Sequence, residues 1–118
     1  MLAVAIDRIG DMAVVECAGR LVRSESALKL REAVISQPYP RIIVIDLSEV
    51  TAIEGTGLGM LVSLQHWTFD RHIQLKLFNP RTSVLNSLNR MNSMQEFDLA
   101  TLHEMMALLE LRTPRYAA

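Results

Sequence analysis

Ile42-Ile43-Val44-Ile45-Asp46-Leu47 constrains this chain more than any other segment. Its apolar residues follow one another without polar alternation until Asp46. A run of that kind reads as a strand covered on both faces, as in a parallel or mixed sheet flanked by helices. Ser48 to Glu54 comes next, then Gly55-Thr56-Gly57, then an apolar-periodic segment reaching about Asp70. The core of the chain therefore reads as strand, glycine-rich turn, helix.

The flanking segments supply the rest of such a layer. Leu2, Val4 and Ile6 alternate with smaller or polar residues, Met12 to Ala18 is rich in small and β-branched residues, and Gly10-Asp11 lies between them. That pattern predicts an N-terminal hairpin. Gly19 closes the second run. Ser24 or Ser26 is then expected to cap a helix with Glu25 in its first turn, and Ala27, Leu30, Ala33 and Val34 recur at helical spacing up to Pro38 and Pro40. Ile73 to Phe78 alternates as a fourth strand. Asn79-Pro80 suits an N-cap followed by proline at the first helical position, with Val84, Leu85 and Leu88 facing inward. Phe97 to Leu99 is a candidate fifth strand. Thr101 and Glu104 match a capping box ahead of Leu102, Met105, Met106 and Leu109. The expected fold is α/β: a mixed sheet of four or five strands with helices packed against it, in the order ββαβαβα(β)α. One domain is expected over residues 1–111, with 112–118 a flexible tail.

Composition narrows the function classes. A chain of 118 residues can bury roughly 65–70% of its extended surface without staples. Twelve Lys and Arg against thirteen Asp and Glu leave a net charge of −1. No basic field is present to neutralise phosphates, so nucleic acid is not expected as a partner. Three Phe, one Trp and two Tyr are few for a protein that stacks bases or sugars. The N-terminus has no basic start or long apolar core of a signal peptide. The uncharged stretch from Gly55 to Phe69 falls short of the ~20 apolar residues that span a bilayer. No membrane insertion is expected, and the expected location is the cytoplasm.

The segment Val44-Ile45-Asp46-Leu47-Ser48-Glu49-Val50-Thr51-Ala52-Ile53-Glu54-Gly55-Thr56-Gly57-Leu58-Gly59 resembles the STAS family, the sulfate-transporter and anti-sigma-factor-antagonist domain. The family pattern is a buried strand ending Asp-Leu-Ser, a Val-Thr, then Asp-Ser-Ser-Gly-Leu-Gly opening a helix. Ala18-Gly19-Arg20-Leu21 and Leu77-Phe78-Asn79-Pro80 also stand where the family has comparable residues, so the likeness covers nearly the whole chain. The resemblance implies a STAS-like fold and a protein-binding function without catalysis. The implied partner is an anti-sigma factor or serine-kinase-type switch protein, and a homodimer is compatible with it. Two alternatives stay open: a STAS subunit serving a membrane transporter or signalling assembly, and a small nucleotide-binding domain.

The departures from the pattern carry the most information. In switched antagonists the first Ser of Asp-Ser-Ser-Gly-Leu is the phosphoacceptor. Here that position is Gly55, which has no hydroxyl, and the second Ser is Thr56. The switch is therefore absent or moved to Thr56. Glu54 keeps the charge of the family's Asp and is favoured beside the helix N-terminus by roughly 0.3–1 kcal/mol. Thr56 is expected to cap that helix through its hydroxyl.

Helical spacing at ~100° per residue divides the next segment into two stripes. Leu58, Leu61, Val62, Gln65 and Phe69 form the expected core face. Met60, Leu64 and Trp67 form a second face, which is either further core or a partner surface. The expected partner-binding set is Thr51, Glu54, Gly55, Thr56, Gly57, Met60, Leu64 and Trp67. Gly55 to Gly59 is neither a dinucleotide fingerprint nor a P-loop, since Met60 replaces the third Gly and no Lys-Ser/Thr follows.

Other residues point to packing. His66, His72 and His103 lack metal-ligand spacing, so no metal or cofactor is expected. Cys17 has no catalytic His near it in sequence and suits a buried strand position. Met91, Met94, Met105 and Met106 are expected in the core. Asp46 and Glu54 are expected near the same strand end, where an acid–base pair is conceivable but turn chemistry is commoner.

Overall fold

The computed structural model describes residues 1–90 and 97–112. β1 (Leu2–Ile9) and β2 (Met12–Leu21) form the expected antiparallel hairpin, in register from Leu2↔Gly19 to Ile9↔Met12. Gly10 takes φ +60° at the first of the two turn residues, a backbone state that two-residue hairpins require and glycine adopts freely. β3 (Ile42–Ile53) lies between β2 and β4 (Gln74–Phe78), parallel to both, and β5 (Asp98–Ala100) adds a parallel edge. The five strands thus stand in chain order across one mixed sheet.

Ile42, Ile43, Val44, Ile45 and Leu47 are all buried, as their apolar run predicts. β3 nevertheless continues six residues past Leu47. Its second half pairs Ala18↔Glu49, Gly19↔Val50 and Leu21↔Ile53, with register shifts on β2 between Glu16 and Ala18 and between Gly19 and Arg20. Ser48, Glu49 and Thr51 break the apolar pattern, so the sequence reads as a loop where the long β2 in fact supplies a ladder partner.

α1 (Ser24–Ile35), α2 (Thr56–Asp70) and α3 (Thr82–Asn89) cover one face of the sheet. Leu30, Val34, Leu61, Leu64, Val84 and Leu88 meet Val15, Ile43, Ile45 and Leu77 in a single core. α4 (Leu102–Arg112) covers part of the opposite face, where Met105 packs with Met12, Val14, Ile42 and Val44.

Four local expectations are corrected. Neither Ser24 nor Ser26 caps α1: Arg23 holds the N-cap position, and Ser26 is buried. Asn79 and Pro80 do not open α3 either. Asn79 takes φ +54°, and the helix starts after Arg81, whose Nε donates to the Ser48 carbonyl at 2.9 Å. β5 lies one residue later than Phe97–Leu99. On α4 the capping box forms, with Thr101 N–H donating to Glu104 (3.3 Å) and Glu104 N–H to Thr101 Oγ1 (3.1 Å). Its expected stripe is rotated, however: Met105 is buried while Leu102 and Met106 are exposed. The rotation carries Arg112, the last residue of the helix, to Asp11, to which its Nε donates at 2.6 Å. Met91, Met94 and the expected tail after Arg112 lie outside the described residues.

Candidate functional site

Two residues, Glu54 and Gly55, connect β3 to α2. Glu54 N–H donates to the Leu21 carbonyl at 3.3 Å, which ties the strand end to β2. Gly55 takes φ 52° and ψ −116°, the first central position of a type II′ turn. Gly57 N–H closes that turn by donating to the Glu54 carbonyl at 3.0 Å, and Gly59 N–H donates to the Gly55 carbonyl at 3.1 Å. The turn and the first helical hydrogen-bonded loop therefore overlap at Gly55, Thr56 and Gly57. An L side chain resists this backbone state, although a Cβ at Gly55 would project into open space.

Gly57 has the opposite constraint. Its backbone is helical, but an added Cβ would overlap the Leu21 carbonyl. This close approach fixes where α2 starts and how it is rotated. The buried face is Gly57, Leu61, Leu64 and Thr68, which lies between the two expected stripes. Leu61 and Leu64, assigned to different faces by periodicity, both sit in the core, and Phe69 is 76% exposed. Thr68 hides because its hydroxyl donates back to the Leu64 and Gln65 carbonyls at 2.9 and 3.0 Å. A hydrophobic pattern cannot register that.

The expected binding set consequently divides. Thr51, Glu54, Gly55 and Thr56 are exposed together around the turn. Thr51 Oγ1 donates to the Gly19 carbonyl at 3.3 Å. Thr56 is the first helical residue and not the N-cap, a position held by Gly55. Gly57 and Leu64 are buried and cannot meet a partner side chain. Met60 and Trp67 are half-buried against the core, and the Arg71 guanidinium lies 4.2 Å from the Trp67 ring centroid.

A depression of about 280 Å³ opens beside the turn, lined by Ile53, Glu54, Gly55, Leu58, Ser87 and Arg90. Arg90 Nη2 donates to Ser87 Oγ at 3.2 Å, and its Nε to the Asn86 carbonyl at 3.3 Å. Sequence reasoning missed Ser87 and Arg90, because only the packing of α3 beside the β3 end brings them to the turn.

The remaining candidates separate. Asp46 and Glu54 do not form a pair: eight strand steps of ~3.3 Å put them roughly 25 Å apart. Asp46 Oδ1 instead accepts from Ser48 N–H (2.9 Å) and Ser48 Oγ (2.6 Å). Cys17 is buried, and that burial, with a smaller contribution from the Asp46 carboxylate, pushes its thiol up to about 12. Such a thiol is a poor nucleophile at neutral pH. His66 on α2, His72 in the turn after it and His103 on α4 are exposed, and no three His, Cys, Asp or Glu side chains converge among the described residues. Among those residues, too, no helix is long and apolar enough to cross a membrane.

This is a small α/β domain whose exposed feature is a glycine turn between a central strand and a core helix. Solved structures share that architecture. SpoIIAA, an anti-sigma factor antagonist in its unphosphorylated form, superposes with a TM-score of 0.73 at 15% identity, covering 95% of this chain and 100% of its own. An anti-sigma factor antagonist from Mycobacterium paratuberculosis gives 0.73 at 18% identity, covering 93% and 95%. A sulfate transporter family protein from Wolinella succinogenes gives 0.70 at 19% identity, covering 86% and 87%. No curated protein sequence matches the chain. The STAS domain family model matches residues 3–105, and the chain belongs to that family.

Proposed function

We propose that this chain is a regulatory protein-binding domain of the anti-sigma factor antagonist kind, acting in the cytoplasm by docking and without catalysis. Its contact surface is Thr51, Glu54, Gly55 and Thr56, flanked by the half-buried Met60 and Trp67. Its partner is an anti-sigma factor or serine-kinase-type switch protein. The observation that carries this reading is Gly55 itself. At the position where switched relatives carry a phosphoacceptor Ser, this chain has a residue without a hydroxyl, in a backbone state that favours glycine. A phosphate there would add nearly two negative charges beside Glu54 and oppose docking. Without it, the turn stays in its binding-competent form. The anti-sigma factor antagonists among the structural neighbours support the partner class.

Affinity capture with the tagged chain and with a Glu54→Lys/Thr56→Arg variant tests this. Recovery of a kinase-type anti-sigma protein by the wild type and its loss from the variant is the expected result. Equal recovery by both would refute the contact surface. Recovery of a membrane transporter instead would assign the domain to a transport assembly, and calorimetry with ATP and GTP would detect direct nucleotide binding.

A further inference from the structure

Among the described residues, one face of the sheet is only half covered. α4 packs over Met12, Val14, Ile42 and Val44, toward the hairpin end. Beyond them, Ala3, Ala5, Glu16 and Ala18 are exposed on the same face, around a depression of about 340 Å³ that Asp46 and Glu49 also line. Strand register places Ala5 beside Glu16 and Ala3 beside Ala18. It also places Glu16 beside Asp46, and Ala18 beside Glu49. Glu16 and Asp46 are thus cross-strand neighbours of like charge, an arrangement that costs stability in the free protein. Among the described residues no Lys or Arg forms an ion pair with either. Arg81 reaches Glu49 from the α3 side at 3.5 Å, with both side chains exposed.

We propose that this bare half of the sheet face docks an amphipathic, Lys/Arg-bearing helix of a partner protein. Three strands spaced ~4.8 Å apart span about 10 Å, the diameter of one helix. α4 already occupies the other half of the same face in this manner. Ala3, Ala5 and Ala18 make a low apolar floor that lets a helix backbone come close. Glu16, Asp46 and Glu49 stand along the β2–β3 side, where the basic flank of the helix would meet them. Charge complementarity selects a basic partner, since Glu16, Asp46 and Glu49 set one sign of charge along this edge and no Lys or Arg among the described residues pairs with the first two. This surface faces away from α2 and does not depend on the Gly55 turn.

The test is an NMR titration of the ¹⁵N-labelled full chain with a synthetic peptide of about 18 residues built from Leu, Ala and Lys as an amphipathic helix. The same peptide with Glu for Lys serves as control. Shifts confined to the amides of Ala3, Ala5, Glu16, Ala18, Asp46 and Glu49 are expected. Affinity should fall with added salt, and about tenfold in a Glu16→Gln/Glu49→Gln variant, whose substituted side chains are exposed. No shifts on this face at millimolar peptide, equal binding of the Glu peptide, or unchanged affinity in the variant would overturn the proposal. Sedimentation of the free chain completes the test: a dimer dissolved by the same variant would assign the face to a second copy instead.

Discussion

The Cα of Gly57 faces the backbone carbonyl of Leu21 with no room between them for a Cβ. That approach joins the end of β2 to the start of α2. It places the Glu54-Gly55 turn at the surface and turns Leu61, Leu64 and Thr68 into the core.

Gly57→Ala should therefore destabilise the protein by about 1–3 kcal/mol, the usual cost of forcing atoms into a packed site. Gly59, two residues on in the same helix, has nothing within 4 Å of an added Cβ. Gly59→Ala should stabilise by about 0.5–1 kcal/mol through helix propensity alone. Urea unfolding midpoints of the two variants, moving in opposite directions, check both.

Gly55→Ser restores the hydroxyl of the switched relatives at a cost. The space around the position is open, so the penalty comes from the strained backbone and should be about 1–3 kcal/mol, similar for Ser and Ala. A thermal melt of the two variants measures it. No loss in either would show that the turn relaxes out of its glycine conformation.

The Asp11–Arg112 pair ties the hairpin turn to the last turn of α4. The hydrogen bond from Arg112 holds the Asp11 carboxyl below its ordinary value of 3.8. A depressed folded-state pKa stabilises above the unfolded value, and that contribution is lost as pH falls through the folded one. Stability should thus decline below about pH 4 partly through this pair. Acid titration of Asp11→Asn should show a shallower decline, and Arg112→Gln should match it.

Cys17 should resist alkylation in the folded protein at pH 8, since its thiol is pushed up to about 12 and buried. Reaction with a thiol reagent should proceed only through opening of the fold, and denaturant should restore the ordinary rate. Rapid labelling of the native chain would show that β2 opens locally.

Elements specified by neighbouring residues were legible in the sequence. The Gly10-Asp11 hairpin, the buried Ile42–Leu47 strand and the Thr101/Glu104 capping box each need only a few adjacent side chains. The turn was legible as a motif, down to the missing hydroxyl at Gly55. What was not legible depends on distant partners. Leu21 sets the rotation of α2, which moved Leu64 into the core and Phe69 out of it. The length of β2 carries β3 past its polar residues, so Asp46 stands far from Glu54. Ser87 and Arg90 come to the turn only through the packing of α3.

The central claim is that the domain docks its partner through a turn that phosphorylation cannot switch. The most direct measurement is the affinity of the recovered kinase-type partner for the chain before and after incubation with ATP, with the chain analysed by mass spectrometry. Unchanged affinity with no phosphate on the chain is the predicted result. Loss of binding together with phosphate on Thr56 would contradict it.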